Sequence, residues 1–316
     1  MILAGDVGAT KILLEVGEFR SDRWESKLGR RYATTDVDNF SNLLTSFLGE
    51  WNTVRGKDER ITGAGFGVAG PALGNKVKMT HRPITVDGDA IGERFLIPRV
   101  RVANDLAAAA RGIDTLGSRE LVTIQDGTAA AGEPRVVLGV GTGLGIAYLV
   151  PDGDGYREIP GEGGHAGFAP ASVQQAQLWN AVFTRAGRVS AEDVVSGIGL
   201  AHIHSFVASF EPQAHVTADW LVDRAGEGDA AAGTTLDLFA ECLGNVAGDH
   251  ALSVMARGGV YLMGGVITRV YSRLAGSRFC EAFCAKGAHS ATMMKIPVRA
   301  VTSDRVALLG AAKLML

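Results

Sequence analysis

The residues best suited to chemistry begin with Asn104 and Asp105, in "RVRVANDLAAAARGI", where a strand of alternating valines gives way to a helical run. Asn and Asp are favoured helix N-caps, and a cap takes one of them. The second side chain is left at the carboxyl edge of a sheet, where α/β proteins bind ligands. Asp105 placed there could accept a proton from an attacking hydroxyl. A carboxylate with an ordinary pKa near ~3.9 is a weak base at neutral pH, but phosphoryl transfer through a loose transition state mainly asks the residue to orient the nucleophile. Two further acids and an imidazole come later in the chain. Glu162 and His165 stand among four glycines and two prolines in "EIPGEGGHAGFAP", and Glu192 follows Ser190 in "RVSAEDVVSGIGL". No metal-ligand spacing such as HxxxH claims them. Vicinal hydroxyls of a polyol can donate to Glu162 and Glu192 and exchange hydrogen bonds with His165. Singly, each has a plainer explanation: Glu192 also reads as a first-turn acid of a helix that Ser190 caps.

Two glycine-rich turns complete the set. "MILAGDVGATKILLEVGEF" is an apolar run, a turn holding Asp6, Gly8, Thr10 and Lys11, and a second apolar run; "RVVLGVGTGLGIAYLVPDG" repeats the pattern around Gly141, Thr142, Gly143 and Gly145. Glycine lets backbone N–H groups approach anionic oxygens, Thr adds a hydroxyl donor and Lys a positive charge, so phosphate fits. A single turn of this kind could equally be glycine serving tight geometry; two matched turns favour the ligand. Neither the P-loop pattern nor a complete GxGxxG is present, since Leu144 stands at the third glycine position. Strand rather than helix follows each turn, so a helix dipole is not expected to assist. A third glycine pair, Gly264 and Gly265 in "YLMGGVITRV", lies where a strand hands over to a helix and a flat ring could rest on bare backbone.

These residues need a scaffold of two similar halves. The two strand–turn–strand patterns lie about half a chain apart and predict a duplicated domain with a cleft between the copies. Elsewhere strand patterns ("ITGAGFGVAG") alternate with helical ones ("DNFSNLLTSFLGEW", "TTLDLFAECLGNVAGDHALSVMA"), so the fold class is α/β. At 316 residues the chain exceeds a single core and suits two lobes. Hydrophobic residues make up 47%, and 31 Lys and Arg against 34 Asp and Glu leave a net charge of -3, which gives no reason to expect a nucleic-acid partner. The uncharged run Val136 to Val150 is shorter than the ~20 residues needed to span a bilayer, so it reads as buried sheet and no membrane partner is expected. The start lacks the basic residues of a signal peptide, which predicts a cytoplasmic protein. Cys280 and Cys284, two of three cysteines, are spaced for one face of a helix, as a reduced pair. His202 and His204, two apart, point to different sides of a helix as surface or partly packed residues, and His250 lies in a helical run.

Taken in order, "GDVGATK", "GVAGP", "ANDLAAAA", "GVGTGLG", "PGEGGHAGFAP", "SAEDVVSGIGL", "LMGGV" and "ALLGAAKLM" resemble the bacterial glucokinase family, within the hexokinase and actin-like ATPase superfamily, over nearly the full length. The resemblance implies a two-lobed actin-like (ribonuclease H-like) fold and ATP-dependent phosphorylation of glucose at its 6-hydroxyl, with Asp105 as base. It implies that Asn104, Glu162, His165 and Glu192 hold the sugar, with Gly70 and His81 beside them. Gly8, Thr10, Lys11, Gly141, Thr142 and Gly143 would take the phosphates, Gly264 and Gly265 would border the adenosine, and Asp6 would help place Mg²⁺ through water. It further implies a homodimer, and a small lobe of residues 1–110 joined by a returning helix within 303–316, with 111–302 as the larger lobe. Three positions depart from the family pattern. Ala9 replaces a glycine, and in "MTHRPITVDGDAI" His81 replaces an Asn and Ile84 a Trp. If that loop packs against the sugar, both pocket shape and hydrogen bonding change there. A kinase for another hexose or an amino sugar therefore stays open beside glucose. A sugar-responsive regulator would add a helix-turn-helix, which the sequence does not begin with, and a non-catalytic nucleotide-binding scaffold would not need the Asn104–Asp105 pair.

Overall fold

A computed structural model describes residues 1–21, 23–80, 82–153, 155–213 and 215–316. The chain divides into two compact units, Met1–Gly117 with Ser303–Leu316, and Ser118–Thr302. The division falls after Gly117 rather than at 110. Helix α3 (Asp105–Gly112) and the turn Ile113–Thr115 both pack on the C-terminal helix Val306–Lys313, which fixes them in the first unit.

The first unit is built on a five-stranded sheet. β1 (Ile2–Val7) pairs antiparallel with β2 (Lys11–Arg20), and β2 with β3 (Arg23–Ala33); on the other side β1 pairs parallel with β4 (Gly63–Val68), whose far neighbour is a parallel strand, β8 (Val100–Asn104). A small antiparallel sheet of β5 (Ala72–Leu73), β6 (Lys76–Lys78) and β7 (Thr85–Asp87) lies between β4 and β8 in sequence. β1 and β4 are near-continuous apolar runs, as strands covered on both faces require. Helix α1 (Phe40–Val54), capped by Asn39, buries Phe40, Leu44, Phe47 and Trp51 at helical spacing into the core around Phe66. α2 (Gly88–Phe95) is capped by Asp87. Small residues draw the C-terminal helix onto the sheet: a Cβ on Gly65 of β4 would overlap the carbonyl oxygen of Ala311.

The second unit repeats the plan. β10 (Arg135–Val140) pairs antiparallel with β11 (Leu144–Asp152), β11 with β12 (Gly155–Gly161), and β10 pairs parallel with β13 (Gly259–Met263), itself parallel to β14 (Val298–Val301). The order β12-β11-β10-β13-β14 thus matches β3-β2-β1-β4-β8, with β9 (Leu121–Gln125) added antiparallel at the β14 edge. The hairpins expected at both turns are present, and the uncharged 136–150 run is buried sheet. Helices α4 (Val173–Ala186), α5 (Gly197–Ala208), α6 (Ala218–Gly226) and α7 (Ala230–Val254) intervene between β12 and β13, and a short α8 (Ile267–Val270) and α9 (Arg278–Cys284) between β13 and β14. α7 is the central beam, burying Leu236, Phe239, Cys242, Leu243 and Ala247. Cys280 and Cys284 do share one face of α9, their thiols directed at Ile124 O and Gln125 Oε1. No helix among the described residues is long and apolar enough to cross a membrane.

Candidate active site

In the first unit, the strand-to-helix junction divides the work between its two polar residues. Asn104 is the cap: its Oδ1 accepts from Leu106 N at 3.0 Å and Ala107 N at 3.2 Å, and its Nδ2 donates to Gly70 O at 3.1 Å. Gly70 holds φ +152°, where a Cβ would also overlap Lys78 O, so glycine is needed for this approach. Asp105 is the first helical residue, its Oδ1 accepting from Leu106 N at 2.9 Å. Burial pushes its carboxyl above the ordinary range, against hydrogen bonds from the Leu106 and Asp105 amides and the Asn104 side chain. A carboxyl whose proton affinity is raised suits a residue that takes up a proton.

Asp6, at the end of β1, is 8% exposed. Burial first and the negative charge of Asp105 second raise it to about 7, with Lys11 pulling it back and Asp304 adding to the rise. Two carboxylates that disfavour each other's ionisation are an electrostatic match for a divalent cation. The described residues contain no group of three or more His, Cys, Asp and Glu able to cage a metal. Mg²⁺ would not need such a group, since it keeps most of its waters and takes one or two protein carboxylates plus phosphates.

The first hairpin is tight: Gly8 N donates to Lys11 O at 2.9 Å, and Thr34 clamps it from outside, through its N–H to Thr10 O at 3.1 Å and its hydroxyl to Gly8 O at 2.8 Å. Lys11 Nζ lies 3.3 Å from Asp304 O and 3.6 Å from Asp304 Oδ2. Ile84 is 1% exposed in the core of this unit, so the substitution at that position changes packing rather than a ligand-facing wall. His81 lies outside the described residues.

In the second unit, Glu162, His165 and Glu192 come together. His165 Nε2 is 3.9 Å from Glu162 Oε2, and its Nδ1 is 3.9 Å from Glu192 Oε1. Glu162 and His165 are exposed and Glu192 is half-buried. Backbone pairing makes this possible. Segment 164–168 lies antiparallel to 189–192, with Phe168 N bonded to Val189 O at 3.0 Å, Ala191 N to Ala166 O at 2.8 Å and Glu192 N to Gly164 O at 2.9 Å. Arg188 fixes the loop by donating to His165 O at 2.7 Å. The expected helix at Ser190 is absent. Asp193 Oδ2 instead accepts from Ser190 N at 2.8 Å and Ser190 Oγ at 2.7 Å, closing a turn, and α5 starts at Gly197 with Ser196 as cap.

That displaced helix start corrects a second expectation. Gly197 N, the first amide of α5, donates to Gly141 O at 2.8 Å, so a helix N-terminus abuts the second glycine turn although a strand follows that turn in sequence. Within the turn, Gly141 N bonds Gly143 O at 2.9 Å. A Cβ on Gly143 would overlap Glu192 Oε2, which accepts from Leu144 N at 2.8 Å.

The third glycine pair separates into two tasks. Gly264, at φ +105°, presses on Val140 O and serves the backbone. Gly265 faces open space and lines a cavity of about 730 Å³ with Thr142, Ile198, His202 and Val216. Bare backbone, aliphatic walls and one imidazole suit a flat heteroaromatic ring. Sequence reading missed His202, whose Nδ1 lies 2.9 Å from Asp193 O, because this cavity assembles from four separate segments. His204 is 3% exposed and bonded to Thr235 Oγ1, buried rather than at the surface; burial lowers its pKa. His250 is half-buried against the Tyr148 hydroxyl at 2.7 Å.

Comparison with known proteins places the whole chain. The family model described as Glucokinase matches residues 3–316. A glucokinase of Cupriavidus metallidurans is 32% identical over 98% of this chain and 92% of its own. The crystal structure of a glucokinase from an Antarctic psychrotroph superposes with a TM-score of 0.88 at 30% identity, covering 99% of this chain and 98% of that one. A ROK family glucokinase from Streptomyces griseus in complex with glucose and AMPPNP shares the fold at a TM-score of 0.62 and 19% identity, over 99% of this chain and 98% of that one.

Proposed function

Since this chain belongs to the glucokinase family over nearly its whole length, we propose that it transfers the γ-phosphoryl group of ATP to the 6-hydroxyl of glucose, with Asp105 as the base. The grouping of Glu162, His165 and Glu192 carries the reading: two carboxylate acceptors flank one imidazole at 3.9 Å on each side, a pattern matched to neighbouring hydroxyls. Asn104 contributes its side-chain amide. Asp105 orients the 6-hydroxyl and accepts its proton as the O–P bond forms; its raised affinity for a proton favours that step. Thr10 and Lys11, and the turn Gly141–Gly143, provide donors for phosphate oxygens, and Gly265 borders the adenosine. Lys11 must then exchange its Asp304 contact for phosphate. Mg²⁺, held through water by Asp6, would neutralise phosphate charge. We read the enzyme as a cytoplasmic homodimer.

Another hexose or an amino sugar is the competing substrate, because His81 stands where the family has Asn. The test is a panel of glucose, mannose, galactose, fructose and glucosamine with ATP and Mg²⁺, followed by coupled ADP detection. Glucose is expected to give the highest kcat/KM. Faster turnover of another sugar, or of none, overturns the assignment.

A further inference from the structure

The two oxygens of Glu192 face different neighbours. Oε1 is directed to His165 at 3.9 Å, while Oε2 accepts from Leu144 N at 2.8 Å and lies so close over Gly143 that a Cβ there would have to displace it. The backbone of Glu192 is itself fixed, by its N–H to Gly164 O at 2.9 Å and by the Ser196 hydroxyl to its carbonyl at 2.7 Å. A carboxylate on a fixed stretch of backbone therefore supports the Gly141–Gly143 turn from outside. The turn has no charged side chain of its own, and its other external support is Gly197 N. We propose that Glu192 is a positioning residue for the nucleotide's phosphate turn, so that one side chain links nucleotide affinity to sugar occupancy. This rests on the sugar-kinase reading above. A sugar hydroxyl donating to Oε1 fixes the plane of the carboxylate and with it the oxygen that holds Leu144 N. By linkage, whatever factor the sugar adds to nucleotide affinity, the nucleotide adds to sugar affinity.

The series Glu192→Gln, Glu192→Asp and Glu192→Ala separates the two roles. A Gln carbonyl still accepts from Leu144 N, Asp is one methylene short of it, and Ala accepts nothing. AMPPNP affinity is measured by calorimetry without sugar. The Asp and Ala variants should lose about tenfold, the scale of one hydrogen bond to a charged acceptor. Glu192→Gln should stay within about twofold for AMPPNP while its glucose affinity falls about tenfold. In the unmutated protein glucose should tighten AMPPNP several-fold, and in Glu192→Asp that cross-effect should vanish. AMPPNP affinity unchanged in Glu192→Asp, or lost equally in Glu192→Gln, overturns the proposal, and this pair decides even where the Ala variant does not fold. The sugar-free arm is independent of which sugar is phosphorylated, so failure of the substrate assignment shows in the sugar panel and not here.

Discussion

The two glycine hairpins share a topology and differ in where their charge comes from. The first carries its own, with Asp6 entering the turn and Lys11 leaving it, and its clamp, Thr34, is neutral. The second carries none. Its supports arrive from more than forty residues downstream: the Glu192 carboxylate on Leu144 N and the α5 amide of Gly197 on Gly141 O. Duplication preserved the backbone device and let the electrostatics diverge. One copy carries a titrating carboxyl, and the other is shaped by groups that also border Glu162 and His165.

The most severe way to break this contrast is Asp105→Ala in the self-charged half. Turnover should fall by ~10²-fold or more while calorimetric glucose affinity changes little, because the lost contact acts mostly in the transition state. Next is Gly143→Ala in the borrowed-charge half. The new Cβ must displace Glu192, so the KM for ATP should rise about tenfold, the scale of one charge-assisted hydrogen bond. A KM equal to that of the unmutated enzyme would show that the turn does not depend on its distant support. The third concerns the buried carboxyl of Asp6. Its folded value, about 7, exceeds the ordinary 3.8, so the native state holds the proton more tightly than the unfolded chain. Stability from this residue is therefore undiminished below pH ~4, declines as pH rises from ~4 to ~7 and stays reduced above it. Asp6→Asn should raise Tm by a few degrees at pH 8 without Mg²⁺ and leave it unchanged at pH 4. An equal gap at both pH values would place the effect outside titration. The smallest effect is expected of Ala9→Gly in the first turn. Ala9 is exposed, so restoring the family residue should move the KM for ATP by less than about twofold, against the large response of Gly143.

Legibility in the sequence followed the range of the interactions involved. Both hairpins were readable because apolar run, glycine turn and apolar run are local signals. The Asn104–Asp105 junction was readable as strand meeting helix, though which residue caps depended on the Gly70 contact. The setting of Glu192 was not readable. Ser190 and Ser196 both resemble caps, and the later start places two glycines, poor helix formers, in the first turn of α5. What decides between them is tertiary: Gly197 N finds Gly141 O, and Asp193 turns back on Ser190. α5 is also apolar around most of its circumference, so periodicity could not say which of His202 and His204 points inward. The burial of Ile84 likewise depends on packing no local pattern records.

The C-terminal helix bears on how the protein is made. It closes over the glycine face of β4 and packs along α3, so the first unit draws its last component from residues 303–316. During synthesis at ~5–20 residues per second, the N-terminal sheet leaves the ribosome early and then waits for the whole second unit before that face is covered. The first half to emerge is thus the last to be completed.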